Sequence, residues 1–233
     1  MKKYLIGLVI LIVSILVIYT LIDLKPNIKS NVELRGIDIS HYNDIRDWSQ
    51  IKKSVDFVYI KSTEGKSYKD PNFKRNWRNA KKNNVTCGAY HFFTPGVSAY
   101  EQFVNFKNTV KLSSGDLPPV LDVERKAGEY TKLDIDMDEV NEWLRLVEEY
   151  YGVKPIIYSD YITFKLFMDD KVTKNKLWIY LPEGYFVKPS FNDYDCVLWQ
   201  YSYTGNIDGI NGDVDLDSFY GDIDEFQELL VKN

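Results

Sequence analysis

Hydrophobic positions along this chain fall into two unlike regimes. Residues 5–22 form one apolar run, broken only by Gly7, Ser14, Tyr19 and Thr20. From Arg35 onward the pattern changes to short apolar runs that alternate with amphipathic segments. Between them lies "DLKPNIKSNVEL", residues 23–34, polar and containing Pro and Asn, which reads as a linker. The domain expected from this pattern spans residues 35–233.

In that domain "RGIDIS" reads as a strand, followed by a short helix near Trp48 to Lys53. "DFVYIKS" is a second strand. Asp70-Pro71 predicts the start of a helix reaching Asn84, with Asp70 as N-cap and Pro71 at the first helical position. "TCGAYHFF" is a third strand, and Ser98 caps a helix running to about Lys111. "PPVLDVE" is the fourth strand, then a helix runs from about Asp138 to Tyr151 and stops at Gly152. "KPIIYS" and a helix near Tyr161 to Met168 complete the fifth strand–helix unit. After that "KLWIYLP", "CVLWQYS" and "GDVDLDSF" read as strands with little helix between them, and a last helix covers Ile223 to Val231. Five βα units followed by mostly strand is a barrel-like α/β pattern.

The first 22 residues are a separate object. Lys2 and Lys3 precede an apolar run of 18 residues, near the lower limit for crossing a bilayer. The two lysines stay on the cytoplasmic side, which directs the rest of the chain outward. A cleaved signal peptide is the rival reading. It has a shorter apolar region and a small-residue cleavage site, and Tyr19 to Ile22 offers none. The pattern therefore favours an uncleaved anchor at 1–22, with the domain held outside the cell membrane.

Composition narrows the partners. A net charge of −5 without a basic stripe argues against nucleic acid. The 18 tyrosines and 5 tryptophans are mostly packing residues, with a minority available as a platform for flat polar ligands such as sugars. Cys87 and Cys196 both sit in strand-like runs and read as small buried hydrophobes rather than a disulfide framework.

In a parallel barrel, the chemistry sits at the C-terminal ends of the strands. Those ends carry Asp38 and Ser40, Lys61 and Glu64, Tyr90 and Phe92, Asp122 and Glu124, Tyr158, Trp178, and Trp199-Gln200-Tyr201, with Asp215 in the final strand. Strand alternation turns Asp122 and Glu124 to one side and Val123 to the other. Asp38, Asp122, Glu124 and Asp215 then converge on one mouth. "DVDLD", residues 213–217, opens like a calcium loop but has Ser218 where glycine is needed and Asp224 where glutamate is wanted. The two histidines, His41 and His91, form no H-E-x-x-H. His91 reads as a hydrogen-bonded strand histidine. No serine elbow or phosphate loop is present. Glycoside hydrolysis fits the acids better. It needs one carboxyl kept protonated and a second negative group beside the reacting carbon. Glu124 has the longer reach and is the expected acid, with Asp122 its partner.

Read in order, "GIDIS" with "DW", "FVYIKSTEG", "DPNFKRNW", "GAYHFF", "LPPVLDVE", "IIYS", "LWQYS" and "GDVDLDSFYG" resemble the glycoside hydrolase family 25 lysozymes. The resemblance implies a modified TIM-like barrel of five βα units and three further strands. It implies cleavage of the β-1,4 bond between N-acetylmuramic acid and N-acetylglucosamine of peptidoglycan, without metal or other cofactor. Glu124 matches the general acid. Asp122 matches the residue that orients the substrate's 2-acetamido group, whose oxygen attacks the anomeric carbon; activation of a water by Asp122 is the alternative. Asp38 and Asp215 match supporting acids. Tyr90, Tyr158, Trp178 and Gln200 match positions lining the sugar groove, to which the strand ends add Phe92, Lys61 and Glu64. The sequence departs from the family pattern at Asn43-Asp44, where Gln-Gly is common, and at Tyr180-Leu181, where a small residue usually comes after Trp-Ile. It departs again at Asp217, in place of Asn. A non-catalytic glycan-binding scaffold and a glycosidase acting on chitin-like chains are the competing functions. A wall-opening enzyme on the membrane could also serve a secretion or DNA-transfer machine.

Overall fold

The computed structural model describes residues 34–124, 135–169, 171–172, 174–182 and 195–232. The expected anchor at 1–22 and the linker up to residue 33 lie outside the described residues. No helix among the described residues is long and apolar enough to cross a membrane.

Eight strands close into a barrel. They are β1 (Arg35–Ile39), β3 (Phe57–Glu64), β5 (Thr86–Phe92), β6 (Val120–Asp122), β7 (Ile156–Asp160), β8 (Leu177–Tyr180), β9 (Cys196–Gly205) and β11 (Val214–Phe219). Their order is β1-β11-β9-β8-β7-β6-β5-β3, and β3 pairs back to β1. Every neighbouring pair is parallel except the two made by β11, which is antiparallel to both β9 and β1. Five strand–helix units followed by three further strands is the expected order. Three two-residue strands are additions that the hydrophobic pattern does not announce: β2 (Asp44–Ile45), which pairs with β10 (Ile210–Asn211), and β4 (Tyr68–Lys69), a short edge on β3.

Side-chain alternation divides the apolar residues into two cores. Ile37, Ile39, Val58, Ile60, Ala89, Leu121, Ile157 and Ile179 face outward into a large core. There they meet Ile51 of α1 (Trp48–Ser54), Phe73 of α2 (Phe73–Lys82), Phe103 and Phe106 of α3 (Ala99–Thr109), and Trp143 and Val147 of α4 (Met137–Tyr151). Phe57, Tyr59, Val120, Ile156, Trp178 and Phe219 fill the barrel interior. Phe226 of α6 (Ile223–Leu229) closes its lower end against Phe57 and Phe219, at ring distances of 5.7 and 5.1 Å. Two glycines make this filling fit. Gly36 sits beside Phe57 and Gly88 beside Tyr59 in the ladder, and a Cβ on either would fall 2.1–2.2 Å from the neighbouring ring.

The helix ends correct several expectations. α2 begins at Phe73 with Asn72 at its cap position. Asp70 is instead drawn to His41, accepting from its backbone N–H and meeting Nδ1, both at 2.9 Å, while its other oxygen takes the Asn72 N–H. Ser98 does occupy the cap of α3, but its side chain bonds no helix N–H, and the helix ends at Thr109. α4 starts one residue early, capped by Asp136, and stops as expected on left-handed Gly152. The segment expected as one helix over Tyr161–Met168 splits into α5 (Tyr161–Thr163) and a π-helical turn over Phe164–Met168. The last helix ends at Leu229 rather than Val231.

Candidate active site

The barrel mouth holds a cavity of about 400 Å³ lined by Asp38, Lys61, Tyr90, Phe92, Asp122, Glu124, Tyr158, Trp178, Gln200 and Asp215. All of these were expected from the strand ends. Glu64 was expected too, but it stands back from the cavity and binds Lys61 Nζ at 2.8 Å. Tyr42, Tyr180 and Tyr203 also line the mouth and were not among the expected groove residues. Tyr42 and Tyr203 lie outside or beyond the inward strand positions that carried the sequence argument. Tyr180 was visible only as a departure from the family pattern.

Strand direction decides who reaches the mouth. Asp38, Tyr158 and Gln200 lie on parallel strands. Asp215 reaches the same end because β11 runs backwards, which puts its second residue opposite Asp38. Asp122 is the last residue of β6, level with Phe92 on β5 and Tyr158 on β7. Glu124 lies two residues past the end of β6. It still belongs to the wall, because the Val123 N–H bonds the Tyr158 carbonyl at 2.9 Å and Ser159 Oγ donates to the Val123 carbonyl at 2.7 Å.

One polar chain ties the acids together. Tyr158 donates its hydroxyl to Gln200 Oε1 at 2.7 Å, and Gln200 Nε2 donates to Asp38 Oδ2 at 2.6 Å. Burial, with Asp215 and Asp217 nearby, raises Asp38 well above the usual carboxylate range. Asp38 in turn donates to Asp215, whose pKa burial pushes up to about 6. Across the cavity, burial and Glu124 raise Asp122, and its Oδ1 has no hydrogen-bond partner among the described residues. Burial, then Asp160, raises Glu124 to about 7, while Lys61 pulls it down. Asp122 and Glu124 titrate as a pair. Near neutral pH the site therefore holds protons that exposed carboxyls would have lost.

Beneath the acids, Trp178 forms the floor. Its ring meets Tyr158 edge-on and Tyr59 at a tilt, both at 4.9 Å, and its indole N–H donates to Asp217 Oδ1 at 3.0 Å. Asp217 is fully buried, and sequence reasoning registered it only as an unusual residue. Lys61 Nζ lies 4.6 Å from the Phe92 ring centre, which joins a cation to the apolar side of the mouth. Among the described residues, no group of three or more His, Cys, Asp and Glu side chains is arranged to hold a metal ion.

His91 and Cys87 lie outside the site. His91 points outward, hydrogen-bonded to Thr63 Oγ1 at 2.7 Å and Gln102 Oε1 at 3.1 Å, and stacked on Trp143. Cys87 is buried in the outer core, and burial pushes its thiol up to about 12. Neither side chain lines the cavity.

A protonated carboxyl beside a second carboxyl, over an aromatic floor, is equipment for protonating a glycosidic oxygen. Comparison with known proteins agrees. Residues 37–210 match the model for "Glycosyl hydrolases family 25". The chain is 36% identical over 209 residues to the uncharacterised protein YegX of Escherichia coli K12, covering 87% of this chain and 75% of that one. It is 28% identical over 208 residues to lysozyme M1 of Streptomyces globisporus, covering 81% and 68%. The solved structure of a family 25 glycosyl hydrolase from Bacillus anthracis superposes with a TM-score of 0.76 at 32% identity, covering 84% of this chain and 93% of that one. With Asp38, Asp122 and Glu124 falling inside the matched segment, the chain belongs to glycosyl hydrolase family 25.

Proposed function

We propose that this protein is a muramidase that hydrolyses the β-1,4 bond between N-acetylmuramic acid and N-acetylglucosamine in peptidoglycan. The observation that carries the reading is Glu124, a half-buried carboxyl at the mouth whose proton is retained to about pH 7. It is the general acid that protonates the leaving oxygen. Asp122 lies beside it with an acceptor oxygen that lacks a donor among the described residues. An acetamido N–H of the substrate supplies that donor. Accepting it favours the Asp122 carboxylate and leaves the shared proton on Glu124. The oriented acetamide oxygen then attacks the anomeric carbon, the substrate-assisted variant of glycoside hydrolysis. Asp38 and Asp215, tied through Gln200 to Tyr158, keep the opposite wall in place and limit its charge. Trp178 and Tyr158 provide the faces on which a sugar ring packs. The lysozyme similarity of the chain supports the same substrate.

The test uses residues 34–233 with purified peptidoglycan. Glu124→Gln is expected to lower the release of reducing ends by about 10²–10⁴-fold, the usual worth of a general acid, with melting nearly unchanged. Wild-type activity in that variant refutes the assignment. Muramic acid at the new reducing ends supports a muramidase. N-acetylglucosamine there supports a chitin-type glycosidase, and binding without turnover supports a glycan-binding scaffold. The apolar run at 5–22 supports a membrane anchor that keeps the enzyme against the wall from outside. Held there, it would open the wall locally, as a secretion or DNA-transfer machine requires. A mature N-terminus near residue 25 would show cleavage instead.

A further inference from the structure

Behind the cavity lining stands an acid that neither the strand-end pattern nor the proposed mechanism uses. Asp160 is the last residue of β7 and comes two positions after Tyr158, so both face the same way. Tyr158 pairs with Asp122, and the Val123 N–H to Tyr158 carbonyl bond carries the pairing one residue further. Continued another step, the register sets Glu124 beside Asp160. Asp160 also closes the turn into α5. Its Oδ1 accepts the Thr163 N–H at 3.0 Å, and its Oδ2 accepts the Thr163 hydroxyl. Both oxygens are thus held by donors from one residue, which fixes the carboxylate in place next to the end of β6.

We propose that Asp160 is a positioning residue for the general acid: an anchored negative charge that keeps Glu124 protonated between catalytic cycles. The proposal rests on the reading of Glu124 as the acid. A like charge on the neighbouring strand disfavours ionisation of Glu124, and the donors from Thr163 keep that charge from swinging away. The other groups around Glu124 divide the opposite way or weakly. Asp122 ends the strand that leads into Glu124 and titrates with it, Lys61 on β3 favours its anion, and Asp215 on β11 acts against its anion after both Asp160 and Lys61. Tyr90 on β5 and Tyr158 on β7 are phenols held neutral by burial. Asp160 is the largest single charge opposing ionisation of Glu124, second only to burial.

The arrangement also explains why Asp160 is the cap of so short a helix. Capping by Asn is as good as by Asp. A carboxylate at this position serves α5 no better than an amide, but only the carboxylate acts on Glu124.

The experiment is therefore Asp160→Asn in the full chain, which keeps the cap and removes the charge, with Asp160→Ser as a second capping variant. Glu124 is titrated directly by carbonyl NMR, and kcat on peptidoglycan is followed from pH 5 to 9. Loss of a neighbouring like charge is expected to lower the Glu124 pKa by about one unit, so the ratio of kcat at pH 8 to kcat at pH 5 falls about tenfold. A helix cap with no electrostatic role would leave both readouts unmoved in these two capping variants. An unshifted Glu124 titration in both variants overturns the proposal. If Glu124 shifts while the rate profile does not track it, the reading of Glu124 as the acid fails and the role of Asp160 in catalysis falls with it. The Glu124→Gln assay reports that failure independently.

Discussion

Gly88→Ala should cost stability, although alanine is ordinarily the better residue in a strand. Gly88 lies on β5 in the ladder beside Tyr59, and its conformation is open to any residue. A methyl there would lie 2.2 Å from Tyr59 Cε1, 2.7 Å from Cδ1 and 2.9 Å from Leu117 Cβ. Ordinary contact requires the ring to retreat by roughly 1.3–1.8 Å. It has nowhere to go. Tyr59 is fully buried, its hydroxyl donates to the Pro118 carbonyl at 3.2 Å, and Trp178 lies against it at 4.9 Å. Overpacking of this kind costs about 1–3 kcal/mol. A strained hydroxyl bond adds about 1 kcal/mol. Against this, replacing glycine returns only about 0.5–1 kcal/mol. The net loss is about 1–3.5 kcal/mol, which at about 2–4 °C per kcal/mol for a domain of this size lowers Tm by about 2–14 °C. Because Trp178 is the floor of the cavity, kcat/KM should fall as well. Differential scanning calorimetry and reducing-end release measure the two effects. A Tm within about 1 °C of wild type would refute the packing argument, since the smallest cost considered exceeds that shift. A second check is Tyr59→Leu, which opens the space. Combined with Gly88→Ala it should lose less than the sum of the two single changes.

Gln200→Leu removes the bridge between Tyr158 and Asp38 and leaves both without it in a buried wall. Urea unfolding should show about 2–4 kcal/mol less stability, and a loss below about 0.5 kcal/mol would mean the chain of hydrogen bonds is not cooperative. Lys61→Met removes the cation that favours ionisation of Glu124 and Asp122, so the alkaline limb of the kcat profile should move to higher pH. A shift to lower pH would contradict the direction of that field. His91 is buried, and desolvation lowers its pKa to about 3, against about 6.5 in the unfolded chain. The folded state binds fewer protons, so the His91 contribution is complete above about pH 6.5 and is lost as pH falls toward 3, by about 1.4 kcal/mol per pH unit. The carboxyls of the site, with raised values, act in the opposite sense. The test is therefore the difference between wild type and His91→Gln from pH 7 to 5, which should narrow as pH falls; a constant difference would refute it.

The order of the barrel strands and their helices, and most of the residues that line the mouth, are legible in the chain alone. Period-two alternation fixes which side of a strand each residue takes, and a parallel α/β order fixes which end carries the chemistry. That suffices to bring Asp38, Asp122, Tyr90 and Tyr158 to one place. It does not suffice for everything there. Asp215 faces the mouth because β11 runs antiparallel, and strand direction in a closing barrel is set by partners far away in sequence. Glu64 looked like a groove residue until its ion pair with Lys61 turned it aside. Asp70 looked like a helix cap, and His41, distant along the chain, claimed its carboxylate. Tyr180 and Tyr203 meet at 6.0 Å across β8 and β9, a pairing no local pattern contains. The charge state of Glu124 is likewise a property of the assembled site. It depends on burial and on Asp160, held beside it by the register of β6 against β7. Sequence determined which residue types reach the barrel mouth, because periodicity is local. Tertiary structure decided how they are paired, protonated and packed, because desolvation and charge depend on neighbours that only the closed barrel supplies.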